Sequence, residues 1–141
     1  MRYIIIIIIS ITSLGCKGQN KTLKETPLMS VIKLQAAEAV LNFEEAKKYI
    51  DLDKVFEKFP ESHDVEKQWK EMITVLHNLG NNKKFTNQFK YFNYTITENV
   101  NNSKAKVSFV AIDKGSKIKE ISYSLYEIDN KWKVFDIQYV N

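Results

Sequence analysis

Three tyrosines, Tyr94, Tyr123 and Tyr139, and two histidines, His63 and His77, carry the side chains of this 141-residue sequence best suited to binding or proton transfer. A phenol in an apolar site needs a hydrogen-bond partner, so several tyrosines on one face make a polar-aromatic lining for a small ligand. An imidazole can exchange a proton near neutral pH. Tyr94, Tyr123, Tyr139 and His77 are therefore the candidate pocket-lining set, while His63 falls in a loop before a helix. Asp113 falls at a turn and Asp136 on an outward position, so no carboxylate is expected where burial would lift its pKa towards neutrality. The sequence holds no Ser-His-Asp or Cys-His pairing, no metal-ligand spacing and no glycine-rich phosphate loop. No catalytic residue, metal or cofactor is assigned.

Composition narrows the classes. With 44% hydrophobic residues, 4 Gly and 2 Pro, the chain is neither disordered nor collagen-like. Its single cysteine, Cys16, excludes an intramolecular disulfide framework and a cysteine zinc cage. The formal charge of +4 is spread rather than blocked. Lysines alternate with glutamates at Glu44, Glu45, Lys47, Lys48 and at Glu66, Lys67, Lys70, Glu71, which describes solvated helix faces. Arg2 is the only arginine, so the residue that best forks phosphate is absent beyond the N-terminus, and no nucleic-acid partner is expected.

The elements that must position the tyrosines divide into two halves. Ser30 is positioned to cap a helix running to about Leu41, with Val31, Leu34, Ala37, Glu38 and Leu41 along one stripe. Asn42 with Glu45 makes a capping box for a second helix, from Phe43 to about Ile50. Asp51 to Asp53 re-caps a short segment ended by Pro60. A third helix opens at Ser62 or Asp64. In it Val65, Trp69, Met72, Leu76 and Leu79 follow at spacings of 4, 3, 4 and 3, and Gly80 ends it.

Beyond Phe85 the period becomes 2, with strands near 88–99, 104–113, 118–128 and 132–140. Short gaps make them an antiparallel meander. A three-residue loop from Asp129 to Lys131 pairs Leu125, Tyr123 and Ile121 with Phe135, Ile137 and Tyr139. A loop at 114–116 adds Val107 and Phe109 to that face, and an Asn101-Asn102 turn adds Ile96 and Tyr94. Phe92 extends the face. The helices cover it, because a one-residue slip would turn every side chain over. The other face is polar, apart from a strip of Val110, Tyr126 and Val134 that could pair two copies as a homodimer. The expected fold is α+β: three N-terminal helices on a curved four-stranded antiparallel sheet.

The N-terminus has a different character. Arg2 precedes six consecutive isoleucines, and the apolar run ends at Leu14. Such a run is too short to span a bilayer, which takes ~20 residues, and matches a signal peptide over 1–15. Ser13-Leu14-Gly15-Cys16 resembles the lipobox of bacterial lipoproteins. The resemblance implies cleavage before Cys16, acylation of Cys16 and a lipid anchor in the bacterial cell envelope. Two or more acyl chains hold a protein stably. Residues 16–29 read as the lipidated cysteine and a flexible tether. They lack the acidic cluster that sends some lipoproteins to the cell surface, which points to a periplasm-facing domain over 30–141.

The order of three helices and a meander is similar to the nuclear-transport-factor-2-like (cystatin-like) superfamily, and more narrowly to its small bacterial lipoproteins of unknown function. The matching pieces are the helix pair over 36–50, the long helix with Trp69 and the closing hairpin over 124–138. The resemblance implies a cone-like fold with a pocket between helices and sheet. In relatives that pocket binds a small molecule, performs acid–base catalysis or is filled. The expected function is an envelope lipoprotein whose non-catalytic domain binds a small ligand or a protein partner. The alternative is a pocket acid–base enzyme of the isomerase or dehydratase type.

Overall fold

The computed structural model describes residues 24–58, 64–81 and 91–141. The signal segment, Cys16, His63 and the strand residues 88–90 lie outside the described residues. The fold is α+β. Helices α1 (Pro27–Ala39), α2 (Phe43–Ala46), α3 (Leu52–Val55) and α4 (Val65–Asn81) precede strands β1 (Tyr94–Asn101), β2 (Lys104–Ala111), β3 (Glu120–Ile128) and β4 (Lys131–Val140). The strands form one antiparallel sheet in the order β1-β2-β3-β4.

Side-chain caps start each helix. Thr26 opens α1 by accepting from the Met29 N–H at 3.2 Å, with Pro27 at the first helical position, where its missing N–H costs nothing. The cap thus falls four residues before the expected Ser30, which is instead fully buried inside the helix. Asn42 caps α2, Asp51 caps α3 and Asp64 caps α4. The described helices number four rather than three, because the short segment re-capped at Asp51 is itself a helical turn, α3; α2, expected to reach about Ile50, stops after one turn. Its continuation turns out to the sheet: the Val134 N–H donates to Tyr49 O and the Asp51 N–H to Val134 O, each at 2.8 Å. That parallel bridge covers the β4 edge at one point, an alternative to continued helix that satisfies the same backbone groups.

The sheet keeps the expected inward face with two corrections. The β1–β2 register places Ile96 opposite Phe109 and Tyr94 opposite Ala111, where an Asn101-Asn102 turn would set them against Val107 and Phe109; a shift of two residues preserves the face. Asn102, not Asn101, takes the positive φ of 54°. In β3–β4 the turn is the two residues Asp129-Asn130, with φ of 49° and 59°, as a two-residue hairpin turn requires. Leu125 consequently faces Val134, and a bulge at the Ser124/Leu125 step restores the expected pairs Tyr123–Ile137 and Ile121–Tyr139. Phe135 is displaced from the inward face. Val134 and Trp132 take its place, at 0% and 3% exposure.

The core joins Val31, Leu34 and Ala37 of α1, Trp69 and Ile73 of α4, and Val107, Phe109, Ile121, Tyr123, Leu125 and Val134 of the sheet. The expected outer apolar strip is therefore reduced. Val134 is inside, and Tyr126 is occupied by α3, its hydroxyl donating to Asp51 Oδ2 at 2.6 Å beneath the Lys54 ammonium. Only Val110 of the three stands open on that face.

Candidate functional site

The helical spacing of α1 puts Gln35 and Glu38, three residues apart, on one side of its C-terminal half. Beneath them lies the inward face of β3. Gln35 Nε2 donates to the Tyr123 hydroxyl at 2.7 Å, and the Tyr91 hydroxyl donates to Gln35 Oε1 at 2.7 Å. One amide thus joins two phenols. Phe109 packs edge-on to Tyr123 at 5.8 Å between centroids and lies 6.1 Å from Tyr91. Tyr123 is almost fully buried, and desolvation pushes its phenol well above the usual range. Its hydroxyl receives the amide and keeps its own proton, so it remains a hydrogen-bond donor.

Glu38 is the group that departs most from expectation. The sequence places it on the apolar stripe, but no carboxylate was expected where desolvation would lift its pKa, and this one is half-buried there. Trp69 of α4 closes over it, its indole N–H donating to Glu38 Oε1 at 2.9 Å, while Phe43 stands edge-on to the indole at 5.2 Å. Desolvation raises the carboxyl pKa to about 7, and the indole hydrogen bond only partly opposes that. No cation contributes among the described residues. The carboxyl therefore holds its proton to well above the usual carboxylate range.

The tyrosines and histidine named from sequence separate. Tyr123 and Tyr139 come together with Glu38. Tyr139 stands at the rim, 60% exposed, and desolvation, then the neighbouring Glu38 carboxylate, raises its phenol. Tyr94 is half-buried on the same face but belongs to β1, two strands from Tyr123. His77 serves the helix pair: its Nδ1 lies 3.0 Å from Ala39 O, and a carbonyl only accepts, so Nδ1 carries the proton. It ties α4 to the end of α1.

No family model, curated protein or solved structure matches the chain. The site's own chemistry is therefore the guide.

Gln35, Glu38 and Tyr91 were not singled out as site residues. For Glu38 the signal was present: a carboxylate among Val31, Leu34, Ala37 and Leu41 on one stripe. Gln35 and Tyr91 carry no comparable pattern. Together, the group offers phenol donors at Tyr123 and Tyr139 and a carboxyl that donates when neutral and accepts when ionised. Such a set can bind an oxygen function of a small molecule or exchange a proton with it. Among the described residues no group of three His, Cys, Asp or Glu is arranged to hold a metal ion, and no helix is long and apolar enough to cross a membrane.

Proposed function

We propose that the protein is a lipid-anchored component of the bacterial cell envelope, periplasm-facing, whose α+β domain binds a small ligand through Glu38, Tyr123 and Tyr139. The anchor reading rests on the signal-like segment and the lipobox-like Ser13-Leu14-Gly15-Cys16. The binding reading rests on one observation: the half-buried Glu38 carboxyl sits under Trp69, with no cation among the described residues to neutralise it, beside phenols. Buried polar groups of this kind cost stability and are retained where a ligand needs them. Four helices leading into an open meander sheet are compatible with the nuclear-transport-factor-2-like resemblance, in which the sheet curves into a cone around the site.

Two measurements test this. Metabolic labelling with a clickable fatty acid should mark the wild-type protein and not Cys16→Ser; an unlabelled wild type refutes the anchor. Protein purified from its own cells should release a small molecule on denaturation, detected by mass spectrometry. Glu38→Gln and Tyr123→Phe should carry at least tenfold less of it. Wild type that releases nothing, or variants that release as much, contradict the binding site.

The second reading, an acid–base enzyme of the isomerase or dehydratase type, is favoured by the neutral-range pKa of Glu38, which suits a general acid or base at pH 7. A rate profile with an inflection near pH 7 that Glu38→Gln abolishes would select it.

A further inference from the structure

We propose that the domain rests end-on against the phospholipid bilayer, with the β1–β2 and β3–β4 turns at the membrane and Val100 and Ile128 among the lipid headgroups. This rests on the Cys16 anchor of the preceding section.

The point where the chain enters the domain decides which end is near. Lys24 Nζ lies 2.8 Å from Glu127 Oε1, one residue before the last of β3. In the first turn of α1 the Leu28 N–H donates to Glu98 Oε2 of β1 at 2.8 Å. The β1–β2 turn touches the end of β3, the Glu127 N–H donating to Ser103 O at 2.8 Å. The tether therefore meets the domain at this end of the sheet.

The lengths follow from covalent geometry. Cys16 and Lys24 are eight residues apart in sequence. Such a stretch reaches at most ~29 Å fully extended, and ~16 Å as a flexible coil. Strand β2 carries the sheet ~23 Å from these turns to the opposite end, where Ile112 lies. Read as a flexible tether, the stretch reaches less than the length of the sheet, so the turn end, where the chain enters the domain, is the end nearer the lipid.

That end also has the right side chains. Val100 is 48% exposed and Ile128 50% exposed. Val100 extends the face of Tyr94 and Ile96, and Ile128 lies on the opposite side, so the pair straddles the sheet's end rather than forming a core edge. Lys104 and Lys131 flank them, exposed, and can reach lipid phosphates while their stems lie along the apolar surface. Glu98, Glu127 and Asp129 balance these charges and that of Lys24, so apolar contact rather than strong charge attraction carries the docking. Two aliphatic side chains alone would bind a bilayer weakly. A short tether makes the encounter intramolecular, at an effective concentration on the order of millimolar, where a weak contact is populated.

The test uses the acylated protein in nanodiscs of phosphatidylethanolamine and phosphatidylglycerol, with methyl-labelled isoleucine and valine and a fraction of lipids carrying a gadolinium chelate at the headgroup. The Val100 and Ile128 methyl signals should lose more than half their intensity, while Ile112 and Val140 at the other end keep most of theirs. Replacing Val100→Asp and Ile128→Asp together should at least halve the difference in attenuation between the two ends, read at other turn-end methyls. Uniform attenuation, or stronger attenuation at Ile112, overturns the orientation. Intact mass reports acylation separately: an unacylated protein refutes the anchor, whereas an acylated one without the gradient refutes the orientation alone.

Discussion

The two halves of α1 meet the sheet by different chemistry. The N-terminal half contributes Val31 and Leu34 to the same cluster as Val107, Leu125 and Val134, all at 0–1% exposure. The C-terminal half contributes Gln35 and Glu38, which meet Tyr123, Tyr91 and Trp69. Aliphatic burial in the first half yields stability of ~25 cal/mol per Å² removed from water, independent of pH. The second half spends part of the available burial on polar groups, each needing a partner. Within one helix the sequence thus changes from a purely apolar packing surface to one that sets Gln35 and Glu38 beside the buried Ala37, and the change falls after Leu34.

The sharpest way to break this contrast is at Trp69, which serves both halves as core and as donor. Trp69→Ala should cost ~3–5 kcal/mol in urea unfolding, as large aromatic truncations do. A near-neutral result would place the indole outside the core. Leu34→Ala should cost ~2–5 kcal/mol through the cavity it leaves, with the same loss at pH 5 and pH 8. A pH-dependent loss would mean the dry half is coupled to Glu38. Gln35→Ala removes the amide joining Tyr91 and Tyr123 and should cost ~1–3 kcal/mol, because a buried phenol loses its partner. Ser30 is the one buried polar side chain in the dry half, and its hydroxyl has no hydrogen-bond partner among the described residues. Ser30→Ala should therefore be neutral or raise stability by up to ~1 kcal/mol; a loss above that would reveal a partner for the hydroxyl.

The same contrast governs what could be read beforehand. The inward face of β2 and β3 was legible because period-2 alternation is a local signal, and Val107, Phe109, Tyr123 and Leu125 are buried as expected. The α4 stripe was legible in period, yet only Trp69 and Ile73 are buried, while Met72, Leu76 and Leu79 are exposed. Helical spacing defines a face but not how much of it another element covers. The β4 register was half legible: alternation assumes an unbroken ladder, and the bulge adds one residue, so Val134 and Phe135 exchange roles. The start of α1 was misplaced because Pro27 reads as a loop residue as readily as a first helical residue. Glu38 stood in the apolar stripe, but its burial depends on Trp69, 31 residues away, a tertiary fact. Tyr139 follows half-buried Ile137 on the inward face and lies at the rim because β4 ends one residue later.

Folding raises the Glu38 pKa from 4.5 to about 7, so the native state holds that proton more tightly than the unfolded chain. The stability gained by protonation is fully present below pH 4.5 and is lost as pH rises through about 7, an effect on the order of 3 kcal/mol. Glu38→Gln should remove that dependence. The most direct measurement is a carbon-13 NMR titration of the Glu38 side-chain carboxyl in the folded protein. A midpoint near pH 7, shifting higher in Trp69→Phe, is the result this structure predicts; a midpoint in the ordinary carboxylate range, unchanged in that variant, would contradict a buried carboxyl at the site.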